Sequence, residues 1–119
     1  MHLLVQIVRF ESARKLPKVP IEHPCNNLYG LAFKLEIHIE GEINPKTGFV
    51  VDFSKIEDSF EPIKKKIDHN YLNDIEGLEN PTTEILIKWI WENLKPKVAN
   101  LVKLILWENE VSRVEYIGN

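Results

Sequence analysis

The sequence predicts an α+β domain: an antiparallel sheet with two helices on one face, in the order β-β-α-α-β-β. Three observations lead there. Leu31 to Glu42 alternates apolar and polar residues. Two segments in the middle of the chain carry apolar residues at helical spacing behind a capping residue. Leu101 to Trp107 is apolar throughout except for Lys103. Strands, then helices, then strands is the α+β pattern. The chain has 119 residues, the size of a single domain spanning 1–119.

Leu3 to Phe10 is rich in β-branched and apolar residues and reads as the first strand. Glu11 to Asn27 holds Pro17, Pro20 and Pro24 and reads as a long connection. Loops of that length are often functional. Leu31, Phe33, Leu35, Ile37 and Ile39 form the inward face of the second strand, with Lys34, Glu36, His38 and Glu40 outward. The two strands form a hairpin with an oversized loop. Asn44 to Gly48 is a turn. Ser54-Lys55-Ile56-Glu57 matches a capping box, so the first helix starts at Ser54. Ile56, Phe60, Ile63 and Ile67 give its stripe, and Pro62 predicts a kink or restart. Lys64, Lys65 and Lys66 suit its C-terminus. Pro81, Thr82, Thr83 and Glu84 open a second helix, Ile85 to Leu94, with Ile85, Leu86, Trp89, Ile90 and Leu94 mostly facing the core. Leu101 to Trp107 is a strand covered on both sides, and Val111 to Ile117 is the last strand.

The formal net charge of −3 gives no electrostatic case for nucleic acid. No run of ~18 apolar residues crosses a membrane. The start, Met1-His2-Leu3-Leu4, lacks a signal peptide's basic region and sustained apolar stretch. One cysteine rules out an intrachain disulfide, so a cytoplasmic location is expected.

Chemistry-bearing residues are few. Cys25 stands at a strand entrance, as a candidate nucleophile or acid/base group or as a small buried hydrophobe. By themselves Asp68 reads as a turn cap, His69 as a histidine packed under a helix, and Thr82 or Thr83 as the cap of the second helix. The histidines His2, His23, His38 and His69 have no metal-ligand spacing.

Several motifs together carry a resemblance: Phe10-Glu11-Ser12-Ala13 with Leu16-Pro17, Cys25, Thr47-Gly48 followed by Val51-Asp52-Phe53, Asp68-His69 with Tyr71-Leu72-Asn73, Leu78-Glu79-Asn80-Pro81-Thr82 with Glu84, Lys88-Trp89-Ile90-Trp91, and Glu108. The chain resembles the 6-pyruvoyl tetrahydropterin synthase family, and within it the bacterial 6-carboxytetrahydropterin synthases of queuosine biosynthesis. The resemblance implies the tunnelling fold, whose subunits join edge to edge into trimers that stack as a homohexamer, with the pocket between subunits. It implies Cys25, Asp68 and His69 as the catalytic residues. It implies Glu108 as the pterin anchor, accepting parallel N–H bonds from the amino-pyrimidinone edge, with Thr82 and Thr83 lining the same pocket.

The family holds a catalytic zinc through three histidines, and the matching positions here are Arg14, Tyr29 and Leu31. Leucine offers no donor atom, and arginine offers only N–H groups and a fixed charge. No metal cofactor is therefore expected. Two readings of the altered site stay open. The Arg14 guanidinium stands where the zinc charge was, with the Tyr29 hydroxyl as a second electrophilic donor; or the site is relaxed, with Arg14 reaching solvent and Leu31 joining the core. The implied function is a 6-carboxytetrahydropterin synthase-like protein that acts on or binds 7,8-dihydroneopterin triphosphate or a related pterin, with zinc-dependent activity lost or altered. The alternative is a non-catalytic pterin-binding paralogue that co-assembles with an active subunit.

Overall fold

The structure, a computed structural model, describes residues 1–118. Its backbone is a hairpin of two thirteen-residue strands, β1 (His2–Arg14) and β2 (Tyr29–Gly41). They pair without interruption from His2 opposite Gly41 to Arg14 opposite Tyr29. Phe33, Leu35, Ile37 and Ile39 are buried on the face that alternation assigns to the core. Both strands run further toward the loop than expected. Glu11 to Arg14, read as connection, continue β1 because their polar groups find distant partners. The Ser12 hydroxyl donates to the Ile67 carbonyl at 2.6 Å, and the Glu11 N–H donates to Asp68 Oδ1 at 2.9 Å.

The first helix, α1 (Phe53–Ile67), is capped by Asp52 rather than Ser54. Asp52 Oδ1 accepts from the Ser54 N–H at 3.0 Å, which places Ser54 inside the first turn. Ile56, Phe60, Ile63 and Ile67 are buried as the stripe requires. The helix runs through Pro62 without a restart. Pro62 lies on the exposed face, where water can take up the carbonyl that proline leaves without a donor. The three lysines occupy the last turn, beside the negative end of the helix dipole.

A two-residue strand, β3 (Asn70–Tyr71), follows and pairs in parallel with Ser12 and Ala13. It makes the sheet mixed, an addition that alternation could not show in so short a segment. The second helix, α2 (Thr83–Leu94), starts behind Thr82, whose hydroxyl oxygen accepts from the Ile85 N–H at 3.2 Å. Its buried apolar side chains are Leu86, Ile87, Ile90 and Leu94. Ile85 is exposed instead and Ile87 takes a core position, because Leu86, Ile87, Ile90 and Leu94 fall at helical spacing on one face and Ile85 lies outside it. Strand β4 (Leu101–Trp107) matches the expected span, and β5 (Arg113–Tyr116) is shorter than Val111 to Ile117.

The sheet order is β3-β1-β2-β4-β5, with both helices packed over one face. Two features position the site. Strand β4 pairs with β2 only from Lys34 opposite Trp107 upward, so Tyr29 to Phe33 have no partner on that side. The loop between β1 and β2 folds back on the hairpin, the Leu16 N–H donating to the Cys25 carbonyl at 2.7 Å. Among the described residues, no helix is long and apolar enough to cross a membrane.

Because Pro62 sits on an exposed face of an intact helix, Pro62→Ala should restore a backbone hydrogen bond without disturbing the core. Stability is expected to rise by up to about 3 kcal/mol. A urea midpoint that moves upward with an unchanged m-value would show it, and a lower midpoint would mean that the proline ring packs favourably.

Candidate active site

Arg14 ends β1 on its helix-facing side and is only 3% exposed. A buried guanidinium is tolerable only where its donors are occupied and its charge is met. Both conditions hold. Nε donates to the Tyr29 hydroxyl oxygen at 2.9 Å, and Nη1 donates to the Pro81 carbonyl and to Thr83 Oγ1, each at 3.1 Å. Nη2 meets Glu108 Oε1 at 3.2 Å as an ion pair. The relaxed reading, with Arg14 reaching solvent, is therefore corrected. The side chain turns inward because Glu108 and the start of α2 supply acceptors there. Leu31 does pack, half-buried, against the core.

Glu108 follows directly on β4. Its Oε1 accepts from Arg14 and from the Thr83 hydroxyl. Oε2 takes no hydrogen bond from a described residue, and the side chain is 30% exposed. One oxygen is thus fixed by the protein and the other faces outward. The two adjacent threonines divide their work. Thr83 is buried against Glu108, while Thr82 spends its oxygen on capping α2.

Tyr29 accepts from Arg14, which has no lone pair to accept in return. Its own proton must go elsewhere, and Cys25 lines the same cleft beside it. Burial pushes the phenol above its ordinary value and the neighbouring Cys25 adds to this, against the opposing pull of Arg14. Tyr29 is therefore a protonated donor at neutral pH. Cys25 sits half-buried in a single 3₁₀ turn, Pro24–Asn26, its N–H donating to His23 Nδ1 at 3.0 Å. Cys25, Tyr29, Leu31 and Glu108 line one cleft of about 830 Å³ at the fork where β4 leaves β2.

Asp68 and His69 lie elsewhere. His69 Nδ1 is 3.0 Å from Asp68 Oδ1, so the carboxylate orients the ring with Nε2 turned away from it. Asp68 also terminates α1. The Glu11 N–H holds its carboxyl below the ordinary value, burial opposes this, and His69 adds to the lowering. His69 is not packed under a helix: its side chain is 75% exposed. Its φ of 57° lies in the left-handed region, which histidine enters more readily than most residues. It lines a second cleft of about 570 Å³ with Glu11, Ser12 and Tyr71. The two clefts share Gly30, Leu31 and Ala32. Within one chain, Cys25 and His69 stand on opposite sides of Leu31.

The three positions that the resemblance equates with metal ligands carry side chains that do not fit a metal. Arg14 carries a fixed positive charge, Leu31 has no donor atom, and the Tyr29 phenol is held protonated. Sequence reasoning missed Arg9, Lys34 and Trp107, which line the larger cleft, and Glu11, whose carboxylate lies 3.7 Å from His69 Nε2. The signal for Arg9 and Lys34 was two cations on neighbouring strands, visible only once the register is known.

A family model described as 6-pyruvoyl tetrahydropterin synthase matches residues 4–119. A dihydroneopterin monophosphate aldolase of Pyrococcus furiosus is 41% identical over 91 residues, covering 74% of this chain and 76% of that protein. A 6-carboxy-5,6,7,8-tetrahydropterin synthase of Synechocystis is 34% identical over 100 residues, covering 80% of this chain and 76% of that protein. The solved 6-pyruvoyl tetrahydropterin synthase of Caenorhabditis elegans superposes with a TM-score of 0.91 over 99% of this chain and 96% of that one, at 23% identity. The last likeness establishes the fold.

Two outcomes test the site's electrostatics. Glu108→Ala leaves the buried guanidinium without its counter-charge, so it should lower stability by about 3 kcal/mol, measured by urea unfolding. A loss near zero would mean that the pair is not formed in solution. Asp68→Asn should cost about 1–2 kcal/mol at pH 7. The folded carboxyl is lowered, so its contribution is complete above the ordinary value of 3.8 and fades as pH falls through the folded one. The melting-temperature gap between wild type and Asp68→Asn should therefore close in acid below pH 3.8.

Proposed function

The chain belongs to the 6-pyruvoyl tetrahydropterin synthase family, and from that premise we propose that it is a pterin enzyme that cleaves the side chain of a phosphorylated 7,8-dihydroneopterin without zinc. The observation that carries this reading is Arg14. At a position where the family binds metal, the chain has a buried cation, each of whose nitrogens has a partner, that organises Tyr29, Thr83 and Glu108. A site merely released from use would not need that arrangement.

Aldol-type cleavage suits such a site because the substrate brings its own electron sink. A base removes the proton of the 2′-hydroxyl, the C1′–C2′ bond breaks, and its electron pair passes through C6 to ring N5, which is protonated. Return of a proton to C1′ and loss of one from N5 give 6-hydroxymethyl-7,8-dihydropterin and glycolaldehyde phosphate. No Lewis acid is required, because the ring imine accepts the charge that zinc would otherwise offset. In this reading Glu108 holds the amino-pyrimidinone edge through its outward oxygen, with Thr83 behind it. His69 Nε2 is the base, oriented by Asp68. Tyr29 and Cys25 supply the returning proton. Thr82 serves the site only by fixing the start of α2. The Pyrococcus furiosus aldolase supports the reaction class.

His69 and Cys25 meet across a subunit boundary in this proposal, in a homohexamer of two trimers located in the cytoplasm. The unpaired edge of β1 from His2 to Glu11 is suited to such a joint. The separation of the two clefts within one chain also supports a second reading: a pterin-binding subunit that works only beside an active 6-carboxytetrahydropterin synthase-like partner.

The deciding assay is turnover of metal-analysed protein with 7,8-dihydroneopterin mono- and triphosphate, in chelator and in added zinc, with products separated by chromatography. The expected result is 6-hydroxymethyl-7,8-dihydropterin at a rate that chelator does not change. His69→Ala should lower kcat by about 10²–10⁴-fold. Formation of 6-carboxytetrahydropterin only with zinc would overturn the cleavage reading. Binding without any product would favour the second.

A further inference from the structure

We propose that Arg9 and Lys34 are the phosphate subsite of the Glu108 cleft and select phosphorylated pterins over unphosphorylated ones. The inference rests on the pterin reading for the other end of the ligand. The two residues are direct cross-strand partners in the β1–β2 ladder, so both side chains project from the same face, away from the helices. Both line the larger cleft together with Cys25, Tyr29 and Glu108. Like charges directly opposite each other on a sheet are destabilising. A carboxylate on a neighbouring strand would ordinarily relieve them. Among the described residues neither cation makes an ion pair.

The surroundings hold the charges without cancelling them. The Lys34 ammonium lies 4.7 Å from the centre of the Trp107 ring, a contact that orients a cation but leaves it charged. Arg113 covers the same ring at 5.0 Å but is bound to Glu115 at 3.1 Å. Glu36, whose carboxyl burial pushes up and Lys34 helps to lower, is engaged by the Trp107 N–H at 2.7 Å and by His38 at 3.0 Å, and Glu11, two residues from Arg9 on the same strand, lies 3.7 Å from His69. Glu108 is paired with Arg14, and Glu110 stands at the rim. The cleft thus lines up a carboxylate oxygen of Glu108 without a protein donor and two cations without a direct ion pair. A ligand with an N–H edge and a phosphate matches both, and arginine binds phosphate oxygens in bidentate fashion.

Titration of the full chain with neopterin, neopterin 3′-monophosphate and neopterin 3′-triphosphate, followed by pterin fluorescence, tests this. Calorimetry with pyrophosphate provides a readout that needs no pterin. In wild type the phosphates should tighten binding by about tenfold or more, and the two phosphorylated forms show which chain length the subsite takes. In the double variant Arg9→Gln/Lys34→Gln the gain should vanish, unphosphorylated neopterin should bind as before, and pyrophosphate should no longer bind. Removing a like-charge pair should leave the melting temperature unchanged or raised, and each single variant should lose part of the gain. A double variant that keeps the gain, or a wild type without one, overturns the subsite. If pterins bind through Glu108 but phosphate adds nothing, the subsite falls and the pterin reading stands. If no pterin binds while pyrophosphate still requires both cations, the subsite stands and the pterin reading falls.

Discussion

A guanidinium taken out of water has to be met by acceptors and by a negative charge, and at Arg14 that requirement draws four parts of the chain together. The end of β1 supplies the cation, the start of β2 supplies Tyr29, the entrance to α2 supplies Pro81 and Thr83, and the end of β4 supplies Glu108. Each of these segments would otherwise end freely at the open side of the sheet. The same bonds decide the chemistry on offer. Arg14 and Thr83 occupy one oxygen of Glu108 and leave the other outward. Donation from Arg14 to Tyr29 turns the phenol into a donor toward the cleft. The guanidinium itself does not line the cleft, so its influence reaches a ligand through its two partners.

The cleft exists because the central hairpin is longer than the strand beside it. Beyond Trp107 β4 ends, and five residues of β2, Tyr29 to Phe33, have no strand on that side. That fork is lined by the loop carrying Cys25, which is tied down by Leu16 rather than left open. The backbone of Gly30 to Ala32 forms the wall between this cleft and the one at His69. The proton-transfer pair is fixed from the other side of the hairpin, where β1 and the end of α1 meet through Glu11, Ser12 and Asp68.

Much of the fold was legible because it follows from periodicity. The alternation of β2, the apolar run of β4 and the stripe of α1 all bury the residues that the pattern selects. Legibility failed where partners lie far away in the chain. Glu11, Ser12 and Arg14 look like loop residues, since the atoms that hold them in a strand belong to Ile67, Asp68 and Glu108. Asp52 and Ser54 are both good caps, and only the path of the entering chain chooses between them. Thr82 and Thr83 cannot be told apart by composition; extended backbone at Thr82 makes it the cap and turns Thr83 inward. Cys25 stood out as the single cysteine, whereas Asp68, His69 and Glu108 could be assigned chemistry only through motifs. The opposition of Arg9 and Lys34 required a register that no local pattern fixes.

The partnered state of Arg14 also bears on how such a site can evolve. Histidine restored at this position alone would leave Glu108 without its cation and the Pro81 carbonyl without its donor. It would gain nothing from metal, because Leu31 supplies no ligand. Arg14 is thereby locked in by its neighbours: a change of residue type there is tolerable only alongside changes at Glu108 and Thr83.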